Sequence, residues 1–284
     1  MADHPKLSVD ILTPDAVTEK AESIGVKKAK NSLRSTVMLG ILAGAFIALA
    51  GEFYTMAVFQ AETGYSISRL LGGLAFSLGL ILVVITGAEL FTGNTLLVIA
   101  YMTRKITLRD LLRNWVLVYI GNFIGAFGVA LLVYYSQQYA VKDHFFAVES
   151  LKIAFGKLKY DFLTQVIRGT LANMLVVLAV WLTYAGRTLS DKLLAIIFPI
   201  TAFVASGFEH SIANMYFLPF AWLVKHVPAV QSAWQVAGAP GDLASLTWAT
   251  MFWKNIIPVT IGNIIGGAVF VGLAYWFVYL YKRV

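Results

Sequence analysis

The sequence predicts an all-α membrane protein: six transmembrane helices arranged as two inverted halves of three, with spans two and five broken. Three observations carry this reading. Hydrophobic residues make up 59% of the 284 and charged residues only 13%, and mean hydropathy is +0.75, the composition of a polytopic membrane protein. Two apolar runs are too long for one straight crossing, and each contains a polar, glycine-bearing interruption. The interruptions match: Gly87-Ala88-Glu89-Leu90-Phe91-Thr92-Gly93-Asn94 and Gly207-Phe208-Glu209-His210-Ser211-Ile212-Ala213-Asn214 place Gly, Glu and Asn at equal spacing.

Taken in order, residues 1–32 read as a cytoplasmic tail, since they are polar through residue 30, carry Lys20, Glu22, Lys27, Lys28 and Lys30, and lack the apolar core of a cleavable leader. The tail is expected to be soluble and partly helical, lying along the membrane face. Residues 33–284 form the transmembrane domain. Its spans are placed at about Leu33–Phe59, Ser68–Tyr101, Leu108–Tyr135, Asp161–Ala185, Asp191–Val224 and Phe252–Tyr281. The second is interrupted at Glu89–Asn94 and the fifth at Gly207–Asn214. Polar, non-helical backbone at that depth is tolerated only where it is packed in protein or lines a cavity.

Basic residues set the orientation. Lys27, Lys28, Lys30 and Arg34 precede span one, Arg104, Lys105, Arg109 and Arg113 join spans two and three, and Arg187 and Lys192 join four and five. Lys282 and Arg283 close the chain. With six crossings these share one side, so both termini are cytoplasmic, in the bacterial inner membrane. This topology accounts for the net charge of +7 without a nucleic-acid partner. Long connections, Ser136–Tyr160 and Lys225–Met251, fall on the other side. Three spans per half is an odd number, so the halves are inverted, as in channels and transporters.

A second echo supports the repeat. Arg113-Asn114 followed by Gly121-Asn122-Phe123-Ile124-Gly125 matches Lys254-Asn255 followed by Gly262-Asn263-Ile264-Ile265-Gly266. The pairs Gly40/Gly44, Gly121/Gly125 and Gly262/Gly266 form small-residue faces for close helix packing. Pro199, Pro219 and Pro258 read as kinks.

The chain has no cysteine and four histidines, of which only His210 lies in a span. Haem or dimetal chemistry needs further ligands at helical spacing, and the spans offer none, so neither metal nor cofactor is expected. No nucleophile triad, HExxH or phosphate loop occurs within them. A pore is therefore favoured over an enzyme. A lone intramembrane imidazole can donate a hydrogen bond to a small anion or exchange a proton with it, and Thr92 can add a hydroxyl. Half-helix N-termini at the breaks would favour anions. Phe76, Leu80, Leu90, Phe91 and Phe203 could form apolar constrictions, or simply pack. Two further readings are a polar pair that only caps half-helices and a haem-binding anchor subunit of a respiratory oxidoreductase, which a visible spectrum would reveal.

Phe76-Ser77-Leu78-Gly79-Leu80, the two broken motifs and Ile261-Gly262-Asn263-Ile264-Ile265-Gly266-Gly267 resemble the formate/nitrite transporter family, from about Gly25 to the C-terminus, and most closely its bacterial formate channels. The resemblance implies an aquaporin-like protomer in a lipid-embedded homopentamer, with one pore per protomer for a small monovalent anion. Formate comes first, with nitrite, hydrosulfide, acetate and lactate as alternatives. It implies that His210, Thr92 and Asn173 contact the substrate and that Lys157 draws anions into a vestibule. It places Phe76, Leu80, Leu90, Phe91 and Phe203 at constrictions. Lys28, Glu89, Glu209, Asn214 and Asn263 then form a buried network around the loop.

Overall fold

Apolar runs of this length satisfy their own backbone polar groups as helices. The computed structural model describes residues 11–283, which contain helices and connections but no strand; the first ten residues of the expected tail lie outside them. In chain order the helices are α1 (Pro14–Ala29), α2 (Leu33–Val58), α3 (Tyr65–Thr86), the short α4 (Phe91–Asn94) and α5 (Leu97–Met102). Then follow α6 (Leu108–Tyr135), α7 (Phe145–Leu158), α8 (Phe162–Ala185), α9 (Leu189–Ala205), α10 (Ser211–Val224) and α11 (Pro228–Val236). The last is α12 (Trp248–Tyr279).

Of these, α2, α3, α6, α8 and α12 are long and apolar enough to cross a membrane. Polar caps define where several begin. Ser32 accepts the N–H of Ser35 at the start of α2, and Asp161 accepts that of Thr164 at the start of α8. Thr107 with Asp110, and Thr188 with Asp191, close reciprocal capping boxes on α6 and α9.

Two differences from the sequence reading have local causes. The interruptions begin and end earlier than expected: helix stops at Thr86 and Ala205 and resumes at Phe91 and Ser211, so Asn94 and Asn214 sit on helical turns. The two long connections contain helices of their own, α7 and α11. Phe146, Ala147, Leu151 and Ala154 of α7 are fully buried, so burial of one apolar face fixes that helix.

The tail, from Ile11 onward, is docked. Val17, Ala21 and Ala29 of α1 are buried, and a Cβ on Gly25 would touch Ala100 at 3.2 Å. Glu22 pairs with Lys105 at 2.5 Å, and Lys20 donates to Tyr184 O at 2.7 Å.

Glycine does what its placement predicts at two crossings. A Cβ on Gly44 or Gly125 would overlap backbone of Asn122 or Ile41, where α2 crosses α6. One on Gly262 or Gly266 would overlap backbone of Val166 or Thr170, where α8 crosses α12. Backbone cannot yield as a side chain can, so these crossings require glycine. α12 also carries π-helical stretches at Phe252–Ile256 and Ile265–Leu273. The first ends just before Pro258, whose missing N–H forbids the usual ladder bond there. Outward, Leu42, Leu49, Phe53, Leu132, Phe198 and Phe277 expose large apolar surfaces, suited to lipid or to other copies of the chain.

Candidate transport pathway

Each break is built the same way. Gly87 and Gly207 take φ of 73° and 72°, the left-handed region open to glycine at little cost. Each lets the next residue return to the helix it leaves: Ala88 N donates to Val83 O at 3.0 Å and Phe208 N to Phe203 O at 3.1 Å. Two asparagines from other helices then start the next segment. Asn122 Oδ1 accepts the N–H of Phe91, and Asn263 Oδ1 that of Ser211, both at 2.9 Å. Their amides donate to Glu89 O at 2.9 Å and Glu209 O at 3.1 Å. These first N–H groups are therefore taken by protein, and the expected anion preference from bare half-helix ends loses those donors.

The carboxylates sit in matching cages. Glu89 Oε2 receives Lys28 Nζ at 3.2 Å and Asn94 Nδ2 at 2.6 Å. Glu209 Oε2 receives Lys157 Nζ at 3.2 Å, Asn214 Nδ2 at 2.7 Å and Asn255 Nδ2 at 3.3 Å. Asn94 and Asn214 also donate to Asn114 and Asn255 at 2.9 and 2.5 Å. Both glutamates are under 5% exposed, where an unpaired carboxylate would be costly. Each carboxylate thereby ties a lysine of another helix to the asparagine on the helical turn after its break.

Between the breaks, Thr92 Oγ1 lies 3.0 Å from His210 Nε2, with both residues buried. His210 Nδ1 accepts the N–H of Ala213 at 3.2 Å, so in the neutral ring Nε2 carries the hydrogen. Asn173 approaches Thr92 from behind. Its Nδ2 donates to Thr92 O at 3.3 Å, to Thr95 Oγ1 at 3.4 Å and to Asn263 O at 2.6 Å. Thr95 Oγ1 donates to Thr92 O at 2.6 Å. Asn173 and Thr95 thus fix the backbone from which the Thr92 hydroxyl projects.

Two cavities approach this centre. One, of about 400 Å³, is walled by α7 and the end of α9 and reaches Phe76, Phe203 and His210. The Phe76 and Phe203 rings meet edge-on with centroids 5.8 Å apart. The other, of about 240 Å³, reaches Leu80, Leu90 and Gly93 and includes Lys28. Phe91 turns away from both, packing its ring into Tyr119 and Trp115 at 4.9 and 6.1 Å. Lys157 lines the larger cavity, with its charge paired to Glu209 and its Nζ 5.1 Å from the Phe217 ring centre.

Several residues that build the site were missed in the sequence. Asn122, Asn114 and Asn255 stood in the matched echo, and the roles given to Asn263 and Asn214 extend to them by that match. Arg69 and Arg168, charges near the ends of apolar spans, hold the carbonyls that end α9; a charge within a span is itself a signal. Thr95 and Trp115, whose Nε1 donates to Asn94 O at 2.9 Å, carry no pattern that sets them apart.

A model of the formate/nitrite transporter family matches residues 15–277. The formate channel FocA of Escherichia coli (strain K12) is 42% identical over 280 residues, covering 98% of this chain and 97% of that one. A solved structure described as a pentameric formate channel with formate bound superposes with a TM-score of 0.80 at 42% identity, covering 87% of this chain and 98% of the other. An ion channel of the same family superposes at 0.77 and 28% identity, over 92% and 98%.

Proposed function

The chain belongs to the formate/nitrite transporter family, and from that premise we propose that it is a bidirectional, proton-linked channel for formate across the cytoplasmic membrane. The observation that carries the reading is the Thr92–His210 contact of 3.0 Å, set between two cavities that close on apolar side chains. The resemblance to a pentameric formate channel supports a homopentamer with one pathway in each protomer. The matched cages around Glu89 and Glu209 support six crossings in two inverted halves with spans two and five broken. Both termini then face the cytoplasm, and the larger cavity opens to the opposite side.

An anion enters the larger cavity and reaches Phe76 and Phe203, where bulk water is excluded. Losing hydration is affordable only if donors replace it. His210 Nε2–H and the Thr92 hydroxyl, which hydrogen-bond to each other, can both turn to a carboxylate. Neither carries a fixed charge, so the anion is held without being trapped. Beyond them Leu80 and Leu90 form the second apolar ring, which a neutral acid crosses more easily than its anion. Proton exchange through His210 needs Nδ1 as well as Nε2, so it requires release of the Ala213 N–H at the start of α10.

The test is a liposome flux panel of formate, nitrite, hydrosulfide, acetate and chloride at several pH values. Formate should pass fastest and chloride slowest. Chloride passing as fast as formate would sink the reading; nitrite or hydrosulfide leading would keep the family and change the substrate.

A further inference from the structure

The larger cavity holds two arginines that the pathway above does not use. Arg69, on α3, donates to Val204 O at 2.5 Å, to Ala205 O at 3.1 Å and to Tyr54 OH at 3.2 Å. Arg168, on α8, donates to Gly207 O, and its guanidinium carbon lies 4.2 Å from the centre of the Tyr160 ring. A Cβ on Gly207 would stand 2.8 Å from Arg69 Nη2 and 3.1 Å from Arg168 Nη2, so the two cations lie side by side. Among the described residues neither forms an ion pair with a carboxylate. Arg168 Nε is buried and has no hydrogen-bond partner.

Their position decides the sign of the mouth. The carbonyls that end α9 carry the negative pole of that helix, next to Phe203, where an anion must arrive. Bare, they would repel it. Capped by two guanidinium groups, the same rim is positive. Lys157 cannot substitute, because Glu209 holds it. Glu149, Lys152 and Lys159 also face this cavity, and the balance stays positive. The smaller cavity differs. Lys28 is its only charged lining residue and is paired with Glu89. No side chain among the described residues donates to the last carbonyls of α3.

We propose that Arg69 and Arg168 form a capture site for a small carboxylate or similar monovalent oxyanion at the mouth of the larger cavity, with no equal at the smaller one. The inference rests on reading the chain as a formate channel, and it adds a direction: the two mouths are unequal in charge. Arginine stays charged at any accessible pH, so this asymmetry persists where lysine or histidine capture would fade.

The experiment is formate conductance in planar bilayers, with dilute formate supplied to one face at a time. It is run at ionic strengths of about 0.01 M and about 1 M, between which the screening length falls from roughly 30 Å to roughly 3 Å. Conductance from the arginine face should exceed that from the other by roughly three- to tenfold at low salt and converge at high salt. In the R69Q/R168Q double variant the ratio should fall to about one at low salt. R69K and R168K, which keep the charge, should retain it within about twofold. Equal conductance from both faces of the native protein overturns the proposal, as does a lysine variant that loses the ratio as fully as the glutamine pair. A native protein that passes no formate would sink the transport reading alone, so capture is also read from unfolding. At low salt formate should raise the unfolding midpoint of the native protein more than that of R69Q/R168Q, and an equal rise overturns the capture site.

Discussion

Nδ1 of His210 accepts the backbone N–H of Ala213 at 3.2 Å, which makes the central histidine the N-cap of α10 as well as the donor facing Thr92. Nδ1 thus caps the helix while Nε2 faces the threonine.

His210→Asn separates these duties. Asparagine is a good N-cap and keeps an amide donor but cannot exchange a proton near neutral pH. The variant should fold, still pass formate, and lose the response of uptake to an imposed pH gradient. Uptake into liposomes with and without the gradient, corrected for free diffusion of formic acid, measures this. Identical responses in variant and native protein would leave His210 as a hydrogen-bond donor only.

Lys157 and Glu209, 16% and 5% exposed at their side chains, are worth more as a pair than either alone. Lys157→Ala leaves a buried carboxylate without its cation and should cost about 3 kcal/mol. The double variant Lys157→Met/Glu209→Gln should recover much of that loss. Thermal unfolding in detergent decides it; equal instability of the single and double variants would show that the charge pair is not what holds this break.

Gly44 and Gly266 should not tolerate valine. Each would drive side-chain carbons into backbone, of Asn122 and Thr170 respectively, at a cost of about 1–3 kcal/mol or more. Gly128, with nothing within 4 Å of its would-be Cβ, is the control and should accept alanine. A Gly44→Val protein with native yield and unfolding midpoint would contradict the crossing geometry.

Glu149, on α7 outside the spans, has its carboxyl pushed above the usual glutamate range by burial, against a smaller opposing pull from Lys152. A raised pKa means that the folded protein favours the protonated form. Its contribution to stability is full below the ordinary glutamate range and is lost as pH rises through the raised value. Glu149→Gln, neutral throughout, should therefore be more stable than native protein at neutral pH and equal to it in acid. Unfolding midpoints across pH check the sign, and a variant less stable at neutral pH would reverse it.

The broken motifs were the most legible part of this chain, because glycine, glutamate and asparagine interrupting long apolar runs have few other uses. Their partners were legible only through the repeat. Asn263 and Asn122 do the same work, and either one points to the other. The exact edges of the breaks were not legible: Asn94 and Asn214 read as loop residues by type, while caps donated from distant helices keep them on helical turns. Phe91 shows the limit of aromatic residues as pore markers, since nothing local says that its ring turns to Tyr119. The docked face of α1 was hidden for a similar reason. Its small buried residues, Ala21, Gly25 and Ala29, look ordinary in the sequence, and only the fold shows that Gly25 lies against Ala100 and Leu97.

The two cages around Glu89 and Glu209 have one more property, visible only when the chain is followed in time. The lysine paired with each glutamate lies on a different helix, α1 for Lys28 and α7 for Lys157, and in both cases it precedes its glutamate in the sequence. During synthesis each counter-charge has therefore left the ribosome before the acid it must meet. A carboxylate is expensive in lipid when unpaired, and each of these is made after the cation that pairs with it in the fold. The order of residues along the chain is thus itself part of how an acidic centre can be delivered into lipid.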